Sequence, residues 1–423
     1  MENYANNPEL KSWIEVEMDS DFPIQNLPFG IYQKDETNYA ACSAIGKYII
    51  DLNTLNESGF FSGINLPQGI FANKFLNDFI SLGKKTGTAV RNRLVEIFKT
   101  GNTEFSNRID EIKLALKKQS DIILTMPVHV GDYTDFYSSI DHATNIGKMI
   151  RDPENALLPN WKHLPVGYHG RASSIFVSGH EFRRPKGQSK PADSPNPIFG
   201  PCKLLDFELE TAFIIGKETK NGESISTEEA DDYIFGMVLF NDWSARDIQT
   251  WEYVPLGPFL AKNFASTISP WIVTLEALEP FRVKGYDQNP AVLPYLQYSG
   301  EKNIDIKLEV YIQPENKKPS LVCSSNFKYM YWTMEQQLAH HTINGCNMNV
   351  GDMLASGTIS GPQEHEFGSM MELSWKGTKS VKLDDEERKF IQDLDTVIIR
   401  GFCNNGKTRI GFGECKAKVL PAI

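Results

Sequence analysis

The sequence predicts a mainly β protein with some helix, divided into a small N-terminal part and a larger C-terminal part. Three observations lead to this prediction. The first 120 residues combine short apolar runs with one amphipathic helical stretch. After them, short runs rich in β-branched and other apolar residues alternate with turns that contain glycine and proline. The length of 423 residues also exceeds what one ordinary hydrophobic core occupies.

The N-terminal elements are two short strands and a helix. Residues 29–32 and 40–45 are apolar runs next to turn residues, which is typical of strands. Residues 89–99 repeat apolar side chains at helical intervals, so they predict an amphipathic helix. A polar connector follows this region, and there we place a domain boundary. The predicted domains are residues 1–120 and residues 121–423.

The second domain is predicted to contain several strands and few helices. Its best helical pattern covers residues 333–342. Residues 151–170 and 185–201 are long loops with many polar and aromatic side chains, and such loops often carry function. The predicted strands share short apolar or β-branched runs and cover residues 122–124, 204–215, 234–239, 304–312 and 396–399.

Composition excludes several classes of protein. The proportions, 41% hydrophobic and 23% charged residues, are those of a globular chain. A net charge of −11 argues against binding to nucleic acid or to an anionic membrane. The six cysteines are dispersed without a CxxC pair, which favours a reducing compartment over a disulfide scaffold or a zinc site. Without a signal peptide or a long apolar run, we expect a cytoplasmic location.

An acidic strand is the most informative local pattern. Asp206, Glu208 and Glu210 alternate with apolar residues, so all three carboxylates would share one face of a strand. Taken alone, the pattern favours a half-buried strand with a solvated acidic face. The alternative is that carboxylates project together toward a hard cation, which prefers oxygen ligands. Spacing does not say which of the three acids would bind it.

Other candidate residues each have an ordinary alternative. Asp135 lies among aromatic residues, and Asp242 ends an apolar run, where it could simply cap the following helix. His142 is one of eight histidines, most of which serve no catalytic purpose, although imidazole is well suited to moving protons near neutral pH. Tyr168 and Arg151 suit a carboxylate substrate, with structural pairing as the alternative for the arginine.

The glycine-containing segment at residues 354–361 presents glycines and hydroxyls together. It is either a plain turn or a loop that approaches a ligand. Its spacing does not match a P-loop or a dinucleotide-binding fingerprint. The sequence also has no GxSxG elbow, so nothing indicates a serine hydrolase built on that motif.

Six segments together resemble the fumarylacetoacetate hydrolase family, namely residues 131–139, 164–174, 241–249, 251–260, 357–361 and 371–378. The similarity covers most of residues 125–421. It implies a small SH3-like N-terminal barrel plus a larger C-terminal mixed β-sandwich roll, assembled as a homodimer. It also implies metal-dependent hydrolysis of a carbon–carbon bond in 4-fumarylacetoacetate, giving fumarate and acetoacetate, the last step of tyrosine and phenylalanine catabolism.

The resemblance further implies the site residues. The ligands of Ca²⁺ or Mg²⁺ are, by position, Asp135, Glu208, Glu210 and Asp242. The catalytic residues are the general base His142, its orienting partner Glu372, and the oxyanion donors Arg246, Gln249 and Lys262. The substrate-binding residues are Tyr137, Arg151, Tyr168, Gln249, Tyr253 and Thr358. A second, structural Mg²⁺ is assigned to Lys262 and Ser266, where the family usually has threonine at position 266.

Cleaving an unstrained carbon–carbon bond explains these residue types. Water must attack a ketone, which calls for a base such as His142, and carbon must leave as an anion, which a divalent ion stabilises. Glu372 follows a strand-like alternation, so its ordinary alternative is a solvent-facing side chain. The competing functions are a related diketo-acid hydrolase, a decarboxylase or isomerase on the same fold, and a non-catalytic binding module.

Overall fold

The computed structural model describes residues 4–423, and within that range strands outnumber helices. The first half of the strands is β1 (Phe29–Gln33), β2 (Tyr39–Ile45), β3 (Tyr48–Asp51), β4 (Leu116–Lys118), β5 (Ile123–Thr125), β6 (Tyr133–Phe136), β7 (Gly167–His169), β8 (Ile175–Val177), β9 (His180–Arg183), β10 (Lys186–Ser189), β11 (Ile198–Pro201), β12 (Leu205–Asp206) and β13 (Leu209–Ile215). The second half is β14 (Ile234–Asp242), β15 (Ser244–Ala245), β16 (Ser266–Ile268), β17 (Val273–Thr274), β18 (Arg282–Val283), β19 (Asn303–Ile304), β20 (Lys307–Gln313), β21 (Ser320–Asn326), β22 (Met353–Ala355), β23 (Val381–Lys382), β24 (Glu387–Arg388), β25 (Thr396–Asn404) and β26 (Arg409–Leu420).

The α-helices are short, with two exceptions of eleven and fifteen residues. They are α1 (Leu52–Glu57), α2 (Asn77–Ser81), α3 (Lys84–Phe98), α4 (Ile109–Leu114), α5 (Ile140–Ile150), α6 (Ala230–Tyr233), α7 (Arg246–Glu252), α8 (Leu275–Leu278), α9 (Met334–Thr342) and α10 (Met370–Leu373). The predicted mainly β fold, with a small N-terminal and a larger C-terminal β domain, is therefore confirmed.

The N-terminal domain is built on a five-stranded antiparallel sheet in the order β4-β3-β2-β1-β5. The predicted amphipathic helix is confirmed as α3, which begins five residues before the predicted start at residue 89. Its apolar side chains Val90, Leu94 and Phe98 are fully buried in a core shared with this sheet. Amphipathic spacing identified the buried face of α3, although it did not locate the helix start.

The strand predicted at residues 122–124 lies in a different place from the one we expected. It forms β5, which pairs with β1 and completes the N-terminal sheet, rather than opening the second domain. Part of the polar connector before it is strand β4. A short apolar run does not say which sheet it joins, because that choice depends on distant partners. The division of the chain at residue 120 stays a prediction.

An eight-stranded sheet forms the centre of the C-terminal domain, in the order β7-β6-β22-β13-β14-β16-β8, with β17 also pairing with β14. Both faces of this sheet are covered. In β13, Leu209 and Phe213 belong to the core of the C-terminal domain, whereas Ala212 and Ile214 pack into the core of the N-terminal domain. The nine residues of β14 are all buried. Charged side chains at the strand ends are therefore enclosed as well.

A second, five-stranded sheet in the order β21-β20-β25-β26-β9 packs on the C-terminal core. The predicted helix at residues 333–342 is confirmed as α9, which begins with a Thr333 capping box. The predicted strand at residues 204–215 is interrupted at residues 207–208, giving β12 and β13. The predicted loop at residues 185–201 contains the β10–β11 hairpin.

The cysteines all carry free thiols, and five of the six are buried. They lie in different parts of the fold, as their wide spacing along the sequence suggested. From residue 4 to residue 423, no helix combines the length and apolar character needed to cross a membrane.

A tight contact between α5 and the following loop gives a testable prediction. A Cβ on Gly147 would lie 2.0 Å from the Ala156 carbonyl oxygen, so Gly147→Ala must displace backbone. Alanine normally gains about 1 kcal/mol over glycine in a helix, but overpacking costs about 1–3 kcal/mol. Because the overlap is with backbone, the upper part of that cost applies, and we expect Gly147→Ala to lower the free energy of unfolding by about 1–2 kcal/mol in urea titrations.

The control is Gly200→Ala, because a Cβ there meets nothing within 4 Å. It should leave the unfolding midpoint unchanged. A Gly147→Ala protein as stable as the wild type would show that the loop at Ala156 moves away freely.

Candidate metal centre and active site

Four carboxylates at three strands of the central sheet come together in the C-terminal domain. Asp135 lies on β6, Glu208 and Glu210 flank the start of β13, and Asp242 ends β14. One oxygen from each lies within 4.8 Å of the other three, and all four residues are buried. The alternating pattern favoured a solvated acidic face, and that interpretation is therefore wrong. Asp242 is not a helix cap either, since Ala245 occupies the N-cap position of α7.

Burial and mutual repulsion act strongly on two of these acids. Burial, and then the charge of Asp242, raise the pKa of Asp135 well above its usual value. Burial, and then the charge of Asp135, raise the pKa of Glu210 in the same way. The Asp135 Oδ1 and Glu210 Oε1 atoms are buried without a hydrogen-bond partner. Unpartnered carboxylate oxygens that face one another fit a hard divalent cation, so the residues present suit Ca²⁺ or Mg²⁺.

Two buried cations neutralise the other side of the cluster. Lys262 Nζ donates to both Glu208 and Asp242, and Arg246 Nη2 donates to Glu208 Oε1 at 2.6 Å. Although burial opposes ionisation, the charges of Arg246 and Lys262 hold the pKa of Glu208 below its usual value. The Lys262 ammonium has no lone pair, so only its backbone carbonyl could contact a metal. Ser266 Oγ donates to Asp242 Oδ1 at 3.1 Å.

A histidine–glutamate pair lies beside this cluster. His142 is in the first turn of α5, and its Nδ1 is 2.7 Å from Glu372 Oε2. Although burial opposes ionisation, His142 and several hydrogen bonds lower the pKa of Glu372. Three other donors reach this carboxylate at 2.9 Å, namely Asn145 Nδ2, Ser360 Oγ and Ser369 Oγ. With Glu372 ionised, Nδ1 is the donor and Nε2 of His142 is left to accept a proton.

The solvent-facing alternative for Glu372 is wrong, because its side chain is fully buried. The strand that the alternation around Glu372 indicated is wrong as well. Glu372 belongs to the short helix α10, which begins after the N-cap Ser369. A local hydroxyl cap produced a helix where the apolar pattern indicated a strand.

The remaining predicted residues lie at varying distances from the pair and the cluster. Tyr168 Oη donates to Asp242 Oδ2 at 2.9 Å, and the Tyr137 ring lies edge-on to His142 with centroids 5.3 Å apart. Thr358 is buried, and the N–H of the preceding Gly357 donates to Glu210. The structure therefore brings these three predicted binding residues to the centre.

Three others lie further out or point elsewhere. Gln249 Oε1 accepts from Arg246 Nη1 at 3.2 Å. Tyr253 is 46% exposed, and the Arg151 guanidinium donates to the Ala156 carbonyl of its own loop. The substrate-binding assignments of Arg151, Gln249 and Tyr253 stay predictions.

Sequence reasoning missed the supporting residues. Ser369 both caps α10 and donates to Glu372. The S-x-x-E spacing from Ser369 to Glu372 is a recognised helix-start signal, and it could have identified this element. Asn145 lies three residues after His142 on the same helix face, which is a spacing that could have indicated a shared contact. For Asp206 the sequence suggested only a solvated acidic side chain or a cation ligand.

The site combines oxygen ligands for a cation with a proton-accepting histidine on a β scaffold. This combination is that of a metal-dependent hydrolase. Two family profiles match the chain: Fumarylacetoacetate (FAA) hydrolase C-terminal over residues 133–420, and Fumarylacetoacetase N-terminal over residues 25–127. The chain belongs to the fumarylacetoacetate hydrolase family.

Curated relatives are similar along nearly the whole chain. Fumarylacetoacetase of Dictyostelium discoideum is 53% identical, covering 98% of each chain. Fumarylacetoacetase of Homo sapiens is 51% identical, covering 97% of this chain and 99% of its own. Among solved structures, the fumarylacetoacetate hydrolase from Exiguobacterium antarcticum aligns with a TM-score of 0.53 at 17% identity, over 93% of this chain and 99% of its own. That likeness shows the fold.

Repulsion among the four carboxylates predicts that a divalent ion stabilises the protein. Adding Ca²⁺ or Mg²⁺ to chelator-treated protein should raise its melting temperature, with a gain of about 2.7 kcal/mol at one hundred times the dissociation constant. Glu210→Gln should bind the ion more weakly, yet its ion-free form should be at least as stable as the ion-free wild type.

Asp110→Asn is the control, since the Asp110 side chain is 94% exposed and lies outside the cluster. Its melting temperature should respond to the ions as the wild type does. Identical melting curves with and without divalent ions would contradict a cation site at these carboxylates.

Proposed function

We propose that this enzyme hydrolyses the carbon–carbon bond between the two ketone groups of fumarylacetoacetate, giving fumarate and acetoacetate. The observation that carries the proposal is the direct connection between the cation site and the proton-accepting pair. Ser369, which caps the helix of Glu372, also forms a β-bridge with Glu208. The relatives named Fumarylacetoacetase, with about half of their residues identical to those of this chain, support the same substrate.

His142 starts the reaction as the general base. Its Nε2 accepts a proton while the oxygen of a water molecule attacks the ketone carbon, and Glu372 stabilises the resulting imidazolium. The tetrahedral intermediate then expels the acetoacetate carbon. The bond between the two carbons breaks, its electron pair leaves with that carbon, and the His142 proton is available to the departing group. A base positioned in this way contributes about 10²–10⁴-fold in rate.

Arg246, Gln249 and Lys262 stabilise the negative charge of the tetrahedral intermediate. The Gln249 carbonyl oxygen accepts from Arg246, so its amide N–H groups remain to donate toward substrate. Lys262 and Arg246 are held by buried carboxylates, which fixes their direction before substrate arrives. One well-placed donor of this kind is worth about 3 kcal/mol in the transition state.

The four clustered carboxylates would hold Ca²⁺ or Mg²⁺, since both ions prefer oxygen ligands. At that place the ion would supply a Lewis acid that stabilises negative charge on the substrate. Tyr137, Tyr168 and Thr358 line the central site, while Arg151, Gln249 and Tyr253 complete the contacts to substrate. Ser266 and the backbone of Lys262 would hold a second, structural Mg²⁺.

The enzyme acts as a cytoplasmic homodimer in the last step of tyrosine and phenylalanine catabolism. Free, dispersed thiols support a reducing compartment. Support for a dimer comes from the end of α7 and the segment after it, where several large apolar side chains are exposed together, more than isolated surface residues would account for. They are Trp251, Tyr253, Val254, Leu256, Phe259 and Leu260.

Loss of ultraviolet absorbance from fumarylacetoacetate tests the function directly. Purified enzyme should turn the substrate over, exhaustive chelation should abolish turnover, and Ca²⁺ or Mg²⁺ should restore it better than Zn²⁺. His142→Ala should remain folded and lose at least about 10²-fold in kcat. Turnover by fully metal-free protein would refute the cation role. A His142→Ala enzyme that keeps more than about a tenth of the rate would exclude His142 as the base.

Glu372→Gln tests the proton-accepting pair. Without the carboxylate charge, the imidazolium that forms in the transition state is less stabilised, so kcat should fall substantially. Glu335→Gln is a matched control, because Glu335 is also fully buried but lies on α9 and pairs with Arg282. The control should keep the wild-type kcat. An unchanged kcat in Glu372→Gln would exclude the role of Glu372.

A further inference from the structure

Asp206 connects the two halves of the active site. Its side chain is fully buried, and its Oδ2 accepts from Arg246 Nε at 2.8 Å. The same carboxylate accepts two backbone N–H groups at the start of α10, from Met370 at 2.6 Å and from Met371 at 3.1 Å. The next residue of that helix is Glu372. One carboxylate thus holds both an oxyanion donor and the helix of the proton-accepting pair.

The other contacts of Arg246 show why its hydrogen bond to Asp206 matters. Its remaining side-chain partners are Glu208 and Gln249, which are a proposed ion ligand and a proposed oxyanion donor. Glu208 would bind the ion and Gln249 would contact the substrate, so the contacts of both residues with Arg246 change during turnover. The Nε contact with Asp206 joins Arg246 instead to a residue outside the ion cluster. It can therefore keep the guanidinium in place while the other contacts change.

The helix α10 also depends on an outside acceptor. A helix of four residues has little stability of its own, and its first N–H groups have no partner within the helix. Asp206 supplies two of the required acceptors, while the Ser369 hydroxyl caps the N–H of Glu372. Without Asp206, those two buried N–H groups would lose their acceptor, and the direction of Glu372 toward His142 would loosen.

We propose that Asp206 is a positioning residue that fixes Arg246 and the N-terminus of α10 relative to each other. It lies outside the cluster of four carboxylates, and it acts by keeping the oxyanion donor and the His142–Glu372 pair in one geometry. The proposal rests on the proposed function for what these two groups do. It differs from the assignments already made, because Asp206 belongs to neither the ligand set nor the catalytic set.

Asp206→Asn is the test variant, since it keeps the shape but replaces one accepting oxygen with an amide N–H₂ that faces a donor. A small misplacement of reacting groups can cost up to about 10²-fold, so kcat should fall about 10- to 100-fold. KM should change by less than about threefold, because substrate contacts remain. Asp395→Asn is the matched control. Asp395 is equally buried, holds Arg388 through two hydrogen bonds and accepts one backbone N–H, but lies outside the site.

A double-mutant comparison with Arg246→Lys separates positioning from general destabilisation. Lysine has no Nε–H group to offer, so adding Asp206→Asn to it should cost distinctly less in kcat than adding Asp206→Asn to the wild type. Equal costs in both backgrounds would overturn the link to Arg246. So would an Asp206→Asn enzyme that keeps the wild-type kcat, or one that loses no more activity than Asp395→Asn.

Hydrogen exchange of the Arg246 Nε–H group gives a readout that needs no turnover. In protein labelled with ¹⁵N at the arginine side chains, this signal is identified by its loss in Arg246→Lys. It should be protected from exchange in the wild type and in Asp395→Asn, and it should exchange much faster in Asp206→Asn. Unchanged protection of the Arg246 Nε–H group in Asp206→Asn would overturn the proposal that Asp206 holds Arg246. Failure of the wild type to hydrolyse fumarylacetoacetate would contradict the proposed function, while this exchange measurement would still decide whether Asp206 holds Arg246.

Discussion

Four negative charges enclosed at one point are the constraint on which the rest of this structure depends. The carboxylates of Asp135, Glu208, Glu210 and Asp242 share a space smaller than 5 Å and are shielded from water. Such a group is stable only if opposite charge is supplied or protons are taken up. Arg246 and Lys262 supply two positive charges from one side, and a divalent ion would supply the other two. The buried cations and the four carboxylates are two parts of one electrostatic arrangement.

This arrangement explains why the site is built on strand ends rather than on free loops. β6, β13 and β14 belong to one sheet whose two faces are covered by different cores, so the strand ends have little freedom to separate. Repelling charges need such a scaffold, because flexible loops would move apart until the charges were solvated. Tyr253, a proposed substrate contact, lies instead on an exposed segment. Rigidity is therefore concentrated at the charges.

The sequence predicted the type of each major element better than the relations between elements. The helices α3 and α9 were predictable, because each has a clear apolar period and α9 has a capping signal. The alternation at Asp206, Glu208 and Glu210 correctly indicated a strand with a common acidic side. It could not show that the strand breaks at residues 207–208, because that break depends on contacts from distant residues.

The contacts that break the strand are visible only in the folded chain. Glu208 receives a hydrogen bond from the backbone N–H of Asp242, and its own N–H donates to Asn241. The break leaves Asp206 in a separate short ladder with β15, beside Arg246. The strand predicted around Glu372 is wrong because of hydrogen bonds that form only in the folded chain. Its local apolar alternation indicated a strand, but two nearby acceptors, the Ser369 hydroxyl and the Asp206 carboxylate, make a helical turn more favourable.

The place of His142 shows how two opposing electrostatic effects are balanced. It lies in the first turn of α5, where the helix dipole disfavours a positive charge by about 0.3–1 kcal/mol. A charge-assisted hydrogen bond to a carboxylate is worth about 1.5–3 kcal/mol, so the contact with Glu372 outweighs the dipole. Glu372 can serve in this way only while it is ionised, which its three other hydrogen-bond donors favour. Glu372 therefore orients the imidazole before the reaction, and the network around Glu372 accommodates the proton once it has been taken up.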